Sequence, residues 1–289
     1  MAVSTPPPFA RILVPLDGSA AAATALRYGI ALARAGASLV LFAAVDIQKI
    51  VAETTTMMSA CDPTPVVDDL VAQASETLEA ARAQAHTAGV NVTIELVRDT
   101  PVASILTAAR ERMCDLIVMG THGRAGIERA FLGSTTEGVL RASVMPVLTV
   151  RPETRDTTHG CFACMLVAID DSPPAEAAAL LAARVQERCG GEVLLCTAIE
   201  APDVDQTTRT HAQALLAQVA AKAKLVSTTP REVVEGEPVD ALMRAAMARQ
   251  ADIIIIGSHG RRGLERMFLG SVAENVVRRS AIPVLVVRA

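Results

Sequence analysis

Short apolar runs alternate along the chain with longer stretches in which alanine and other apolar residues recur at helical spacing. In the first half the runs are Ile12–Leu16, Leu39–Val45, Val92–Val97, Leu116–Met119 and Val147–Val150. In the second half they are Met165–Ile169, Val193–Ile199, a faint Glu232–Val234, Ile253–Ile256 and Val284–Val287. Runs that are continuous rather than alternating predict parallel strands covered on both faces. The Ala-rich stretches between them, such as Asp69–Ala88 and Thr208–Lys224, predict helices able to pack closely on a sheet. Pro101 and Pro238 sit where a third helix would begin, which suits a first-turn proline. Each half therefore reads as βαβαβαβαβ, a doubly wound α/β fold with right-handed crossovers.

The two halves are copies of one unit. Gly120–Arg151 aligns with Gly257–Arg288 without a gap, at a constant offset of 137, with 20 identities in 32 positions. The fronts match as well, ILVPLDGS ending at Ser19 and MLVAIDDS ending at Ser172. A unit of this length is a domain, not a solenoid repeat. The polar segment Arg151–Cys161, with Pro152 and Gly160, reads as the junction. Expected boundaries are residues 1–152 and 163–289, joined by a linker at 153–162. The offset is 154 at the second strand (Val45 to Ile199) but 137 at the third helix (Pro101 to Pro238), so the first copy is 17 residues longer there. The excess falls in Asp46–Pro65, expected as a mobile lid after the second strand, with Met57 and Met58 in a loose loop.

Composition narrows the functional classes. Lys plus Arg is 27 against 31 Asp plus Glu, a net charge of −4, which offers no footprint for nucleic acid or an anionic membrane. Five Phe, one Tyr and no Trp argue against base-stacking platforms. No apolar run approaches the roughly 18 residues of a membrane span, and the first residues do not read as a secretory signal. Six cysteines in 289 residues are too sparse for a disulfide scaffold, and reduced thiols in a cytoplasm are the simpler expectation.

Candidate chemistry gathers after the fourth strand of each copy. In open parallel sheets, ligands bind beyond the carboxyl ends of the strands where the winding reverses. There the sequence runs Gly120-x2-Gly123, nine residues, then Gly133-Ser134, and again Gly257-x2-Gly260, nine residues, then Gly270-Ser271. Glycines let backbone amides approach an anion. A helix opening at Gly-Ser adds unpaired amides, the positive dipole end and a hydroxyl. The pattern predicts a phosphate cradle. It is neither a P-loop nor the dinucleotide fingerprint, because GxxxxGK is absent and the glycines follow the fourth strand, not the first.

This loop resembles the nucleotide signature of the universal stress protein family, and the resemblance covers nearly the whole chain in tandem form. It includes the aspartates closing the first strands (Asp17, Asp170), the two glycine loops, and the closing PVLTV and PVLVV strands. The resemblance implies a five-stranded sheet of order 3-2-1-4-5 that binds ATP or another adenine nucleotide, with Mg2+ as its companion ion, between the first and fourth strands. It implies that Pro15, Leu16 and Asp17 meet the adenosine end and that Val45 lines the adenine slot. It implies that Met119, Gly120, Thr121, His122, Gly123, Arg124, Gly133, Ser134 and Thr135 hold ribose and phosphates. The matching second set is Ala168, Ile169, Asp170, Ile199, Ile256, Gly257, Ser258, His259, Gly260, Arg261, Gly270, Ser271 and Val272. Two departures weaken the second set: Val272 replaces Thr135 and loses a hydroxyl, and Asp171 replaces Gly18 and adds a negative charge.

Plainer roles compete for several of these residues. Asp17 and Asp170 can be N-caps of the following helices. His122 and His259 can be loop residues with hydrogen-bonded rings, since no nucleophile or metal partner accompanies them. Arg124 and Arg261 can pair with phosphate or stand solvated. Cys161-x2-Cys164 beside His159 has the look of a metal half-site, but zinc needs about four ligands. The leading expectation is a nucleotide-binding stress-response regulator or sensor with little or no hydrolysis, its downstream protein partner unspecified. A slow ATPase or adenylate-handling enzyme and a scaffold with degenerate pockets are the alternatives, since the cradle lacks a lysine and a water-positioning carboxylate. The two copies are expected to pair through their last strands, Pro146–Arg151 and Pro283–Arg288, as an internal pseudo-dimer. Association of two chains into a homodimer is left open.

Overall fold

The structure is a computed structural model that describes residues 8–57, 63–122, 132–154, 162–200, 205–260 and 269–289. The first half runs β1 (Arg11–Pro15), α1 (Ala20–Ala33), β2 (Ser38–Ala44), α2 (Ile47–Met57), α3 (Thr64–Thr87), β3 (Asn91–Val97), α4 (Pro101–Glu111), β4 (Leu116–Gly120), α5 (Ser134–Ala142) and β5 (Val147–Val150). The second half runs β6 (Cys164–Ala168), α6 (Pro173–Cys189), β7 (Glu192–Ile199), α7 (Gln206–Lys222), β8 (Arg231–Glu235), α8 (Pro238–Ala248), β9 (Ile253–Gly257), α9 (Ser271–Arg279) and β10 (Val284–Val287). Every apolar run anticipated from the sequence is a strand, and Pro101 and Pro238 each open a helix.

Each half has strand order 3-2-1-4-5, and the halves fuse into one ten-stranded sheet, β3-β2-β1-β4-β5-β10-β9-β6-β7-β8. All neighbours are parallel except at the seam, where β5 and β10 run antiparallel. Leu148 faces Leu285 there, with Val147 opposite Val286 and Thr149 opposite Val284. At the offset of 137 Leu148 and Leu285 are equivalent positions, so a pseudo-twofold axis passes between them. The Thr149 hydroxyl donates to the Val284 carbonyl at 3.1 Å in the buried seam. Two apolar edges that would otherwise template uncontrolled pairing thus satisfy each other.

Strand residues alternate between two cores. Ile12, Val14, Leu39, Leu41, Leu116 and Val118 join the helices α1 and α3 on one face. Leu13, Val40, Phe42, Ile117 and Met119 join α4 and α5 on the other. The second half repeats the arrangement with α6 and α7 on one side and α8 and α9 on the other. The starts of β1 and β6 are pinned alike: Asp115 accepts from the amides of Ala10 (2.7 Å) and Arg11 (3.1 Å), and Asp252 from those of Ala163 (2.7 Å) and Cys164 (3.2 Å). Among the described residues no helix is long and apolar enough to cross a membrane.

Two expectations need correction. The outer strands β3 and β8 are not covered on both faces; they carry exposed and half-exposed residues. Glu95 and Glu232 on these edges pair with Arg112 and Arg249, each at 3.0 Å, and charge on an edge discourages further strand addition. That is why the Glu232–Val234 run looks faint in the sequence. Met57 of the Asp46–Pro65 insertion does not lie in a loose loop. Ile47–Met57 is helical, with the Asp46 carboxylate accepting from the Lys49 amide at 3.0 Å, and α3 begins at Thr64, ahead of Asp69. Met57 ends that helix; Met58 and the rest of the segment before Pro63 lie outside the described residues, as do His159 and Cys161 of the cysteine pair.

Burial pushes the Cys196 thiol up to about 12 and the Cys114 thiol up to about 11, from an ordinary 9.0. A folded-state pKa raised above the unfolded one gives stability that is complete below the unfolded value and lost as pH rises through the folded one. Denaturant midpoints are expected to hold between pH 7 and about 8.5 and to fall from about pH 9 upward. Replacing both residues by Ala should flatten part of that decline, and both native thiols should resist iodoacetamide at pH 8.

Candidate functional site

The carboxyl ends of β1 and β4 lie side by side at the point where the winding reverses. Asp17 leaves β1 and its Oδ1 accepts from the Ser19 amide at 2.9 Å. This is an Asx turn rather than a helix cap. The N-cap of α1 is Ser19, whose Oγ accepts from the Ala22 amide at 3.1 Å and donates to the His122 carbonyl at 3.4 Å. One serine therefore starts a helix and ties the β1–α1 turn to the loop after β4. The second half repeats it with Asp170 accepting from the Ser172 amide (3.0 Å), with the one Ser172 hydroxyl proton shared between Asp170 Oδ1 and the His259 carbonyl (3.1 Å), and with Ser172 Oγ accepting from the Ala175 amide (3.3 Å). Sequence reasoning passed over Ser19 and Ser172, although their recurrence at the ends of ILVPLDGS and MLVAIDDS was the available signal.

The described ends of the glycine loop meet in the same way in both halves. Thr121 extends the ladder by donating its amide to the Val150 carbonyl (2.9 Å), and its own carbonyl accepts from the Gly133 amide (2.8 Å). Ser258 does likewise with Val287 (2.8 Å) and Gly270 (2.7 Å). The Gly133 and Gly270 amides are thus already engaged. The first intrahelical bonds of α5 and α9 run from Glu137 to Gly133 and from Glu274 to Gly270, each at 2.9 Å. The amides of residues 134–136 and 271–273 precede those bonds, and they form the positive amino end of each helix. Ser134 and Ser271 are exposed, so the helix ends open outward.

Histidine chemistry is accounted for by neighbours. His122 Nδ1 lies 2.8 Å from Thr121 Oγ1, and His259 Nδ1 lies 2.7 Å from Ser258 Oγ. Thr121 and Ser258 are buried, so each ring sits against an interior hydroxyl. Leu16, Val45, Met119, Ala168, Ile169 and Ile256 are buried around the strand ends, whereas Pro15 and Ile199 are half-buried. Gly123, Arg124 and Arg261 lie outside the described residues.

The glycines answer different needs. A Cβ on Gly120 would come within 2.6 Å of Ala21 Cβ and 2.7 Å of the Ala21 carbonyl carbon. On Gly257 it would come within 2.8 Å of the Ala175 amide nitrogen. These two let the first helix of each half lie on the fourth strand. A Cβ on Gly260 would reach 2.8 Å from Asp170 Oδ2, so the absence of a side chain lets the start of the loop lie against the aspartate. The halves are not identical. Gly18 has φ +79°, a conformation that Asp171 in its place does not adopt. The Thr136 hydroxyl donates to the Gly120 carbonyl at 2.7 Å, a bond that Ala273 cannot make. A cleft of about 490 Å³ opens beside Asp170 and Ser172 between α6 and α7, bordered by Glu176, Leu180, His211 and Lys222. It shares the aspartate turn with the second cradle but not the glycine loop.

The profile of the universal stress protein family matches residues 8–151 and again residues 164–288. The chain is 31% identical over 209 residues to universal stress protein Rv2005c of Mycobacterium tuberculosis, covering 69% of this chain and 70% of that protein. It is 30% identical over 145 residues to universal stress protein MJ0531 of Methanocaldococcus jannaschii, covering 50% of this chain and 82% of that one. Among solved structures, a universal stress protein from Archaeoglobus fulgidus superposes with a TM-score of 0.76 at 25% identity, covering 99% of this chain and 98% of that one.

Gly120→Ala is expected to destabilise the fold by about 1–3 kcal/mol, because helix backbone must retreat from the new methyl. Ser134→Ala, at an exposed position, should leave stability within about 0.5 kcal/mol. Thermal melts of the two variants test whether Gly120 serves packing.

Proposed function

The chain belongs to the universal stress protein family, with two family domains in tandem, and from that premise we propose that each half binds an adenine nucleotide and that occupancy is the signal the protein reports. The observation that carries this reading is the repeated loop. Two helix starts present three amides each beside an aspartate turn, at the strand ends where a doubly wound sheet receives ligands. In this reading the space beside these amides takes a tail of negative charge. The aspartate that Gly260 faces would then accept from hydroxyls on a sugar.

In this reading phosphate oxygens accept from the amides of residues 134–136 in the first half and 271–273 in the second. Ser134, Thr135 and Ser271 add hydroxyl donors, and Val272 adds none. Leu16 and Val45 border the base, with Ile169 and Ile199 in their places in the second half. A nucleotide held here brings charge and, with Mg2+, a metal-bound phosphate chain; the residues of this chain supply binding and orientation. The acidic residues of the first helical turns, Glu137 and Glu274, turn to Arg141 (2.6 Å) and Arg278 (2.9 Å). Their charge is thereby partly neutralised near the anion. Binding with little or no hydrolysis is part of this reading, because among the described residues of the cradle no lysine stands where a γ-phosphate would lie. The domain limits 1–152 and 163–289 fit two such binding units.

The two sites are unequal in this proposal. Asp171 and Val272 make the second weaker, by charge repulsion and by one lost donor. Calorimetric titration with ATP should resolve a tighter first site and a weaker second site. Ser134→Asp should remove the tighter and Ser271→Asp the weaker, each by at least about a hundredfold, since a carboxylate against phosphate costs several kcal/mol. Denaturing the purified protein and weighing any released small molecule would identify the resident nucleotide and its molar ratio. Steady turnover of Mg-ATP above about 1 per second, abolished by Ser134→Ala, would replace the sensor reading with an enzyme.

A further inference from the structure

Each half sends an arginine into the other. Arg151 follows β5 and Arg288 follows β10, equivalent positions at the offset of 137. Arg151 is only 8% exposed, and its Nη2 donates to the Arg278 carbonyl in the last turn of α9. Arg288 Nη2 donates to the carbonyls of Leu140 (2.9 Å) and Arg141 in the last turn of α5. Four charges clamp the same two helices together. Arg141 bonds Glu137 at 2.6 Å and lies 4.0 Å from Glu274, while Arg278 bonds Glu274 at 2.9 Å and lies 3.6 Å from Glu137.

These helices begin at the two cradles. The amino end of α5 forms the first cradle, and its carboxyl end is held by an arginine of the second half. The amino end of α9 forms the second cradle, and its carboxyl end is held by an arginine of the first. Last-turn carbonyls lack intrahelical partners, and a cation there satisfies them and the negative end of the dipole. Nine residues make a helix about 14 Å long. Direct attraction between guanidinium and phosphate is largely screened over that span, since the Debye length is about 8 Å at physiological ionic strength. What the arginine controls is where the helix sits, and hydrogen-bonding sites tolerate displacements of only about 0.5 Å.

We propose that Arg288 is a positioning residue for the anion cradle of the first half and Arg151 for that of the second, so that each half sets the nucleotide affinity of the other. The proposal rests on the nucleotide reading of the cradles. It makes the β5–β10 seam a coupling device in addition to a structural joint, and ligand binding in one half would reach the other through β10 or β5.

Single-site backgrounds test it. In Ser271→Asp, where only the first site remains, Arg288→Met should weaken ATP binding by about fivefold to tenfold and Arg151→Met should leave it unchanged. In Ser134→Asp the pattern should reverse. Arg288→Lys should recover part of the loss, because an ammonium can reach a carbonyl but lacks the guanidinium fork. Hydrogen exchange of the whole protein should rise in α5 for Arg288→Met and in α9 for Arg151→Met, with thermal melts to identify any variant that has lost its fold. Should Arg288→Met unfold the chain, Arg288→Lys carries the same crossed comparison. Weakening confined to the arginine's own half, equal weakening of both sites, or no weakening overturns the proposal. If the unaltered protein binds no adenine nucleotide, the cradle reading itself has failed and the proposal falls with it. If it binds and the crossed pattern is missing, only the proposal falls.

Discussion

The antiparallel contact between β5 and β10 is the constraint on which the arrangement depends. Each half ends in a four-residue apolar strand at a sheet edge, and no helix or further strand of its own half covers that edge. Open, it would be a template for association. Closing it with the equivalent edge of a second copy is the low-cost solution, because like meets like about a twofold axis, with Leu148 against Leu285. Once that pairing is made, α5 and α9 are brought together, and the four-membered Glu–Arg cluster and the crossed arginines follow from the symmetry. The two hollows are then held in a fixed relation by backbone hydrogen bonds, which are far stiffer than a peptide linker.

Within each half the site depends on a second economy. A helix must leave the first strand while a loop leaves the fourth, and the two exits lie next to each other. Ser19 and Ser172 resolve this by capping a helix with one lone pair and tying down the neighbouring loop with the hydroxyl proton. Gly120 and Gly257 let the helix lie against the strand. What is left over is a set of helix-end amides with no partner of their own kind, facing outward. The proposed anion sites fall here, at the remainder of a packing problem that the chain solves in the same way in both halves.

Some residues were legible and others were not, for definite reasons. The strands were plain because β1, β2, β4 and their counterparts are buried on both faces and hence continuously apolar. β8 was faint because an edge strand needs only one apolar face and carries Glu232 for its ion pair. Met57 read as part of a loop because the threonines and methionines around it obscure helical periodicity, yet Asp46 starts a helix that reaches it. The packing role of Gly120 against Ala21 was not legible, because glycine after a strand suggests approach to an anion and the helix that crosses it lies about 100 residues earlier in the chain. Asp17 was weighed as a cap, but the cap fell to the serine two residues on, a choice set by turn geometry and not by residue type.

By itself, the sequence determined the duplication, the order of the strands and of every helix but α2, and the place of the glycine loops, because periodicity and repetition are local and survive without coordinates in space. It also carried the family likeness, since that likeness is a pattern along the chain. Only the tertiary structure decided that ten strands form one sheet, that Ser19 and Ser172 tie turn to loop, and that Arg151 and Arg288 reach across to the opposite helices. Those contacts join residues more than 80 positions apart. Their existence depends on sheet closure and on which carbonyls are left without partners, quantities that no stretch of sequence contains.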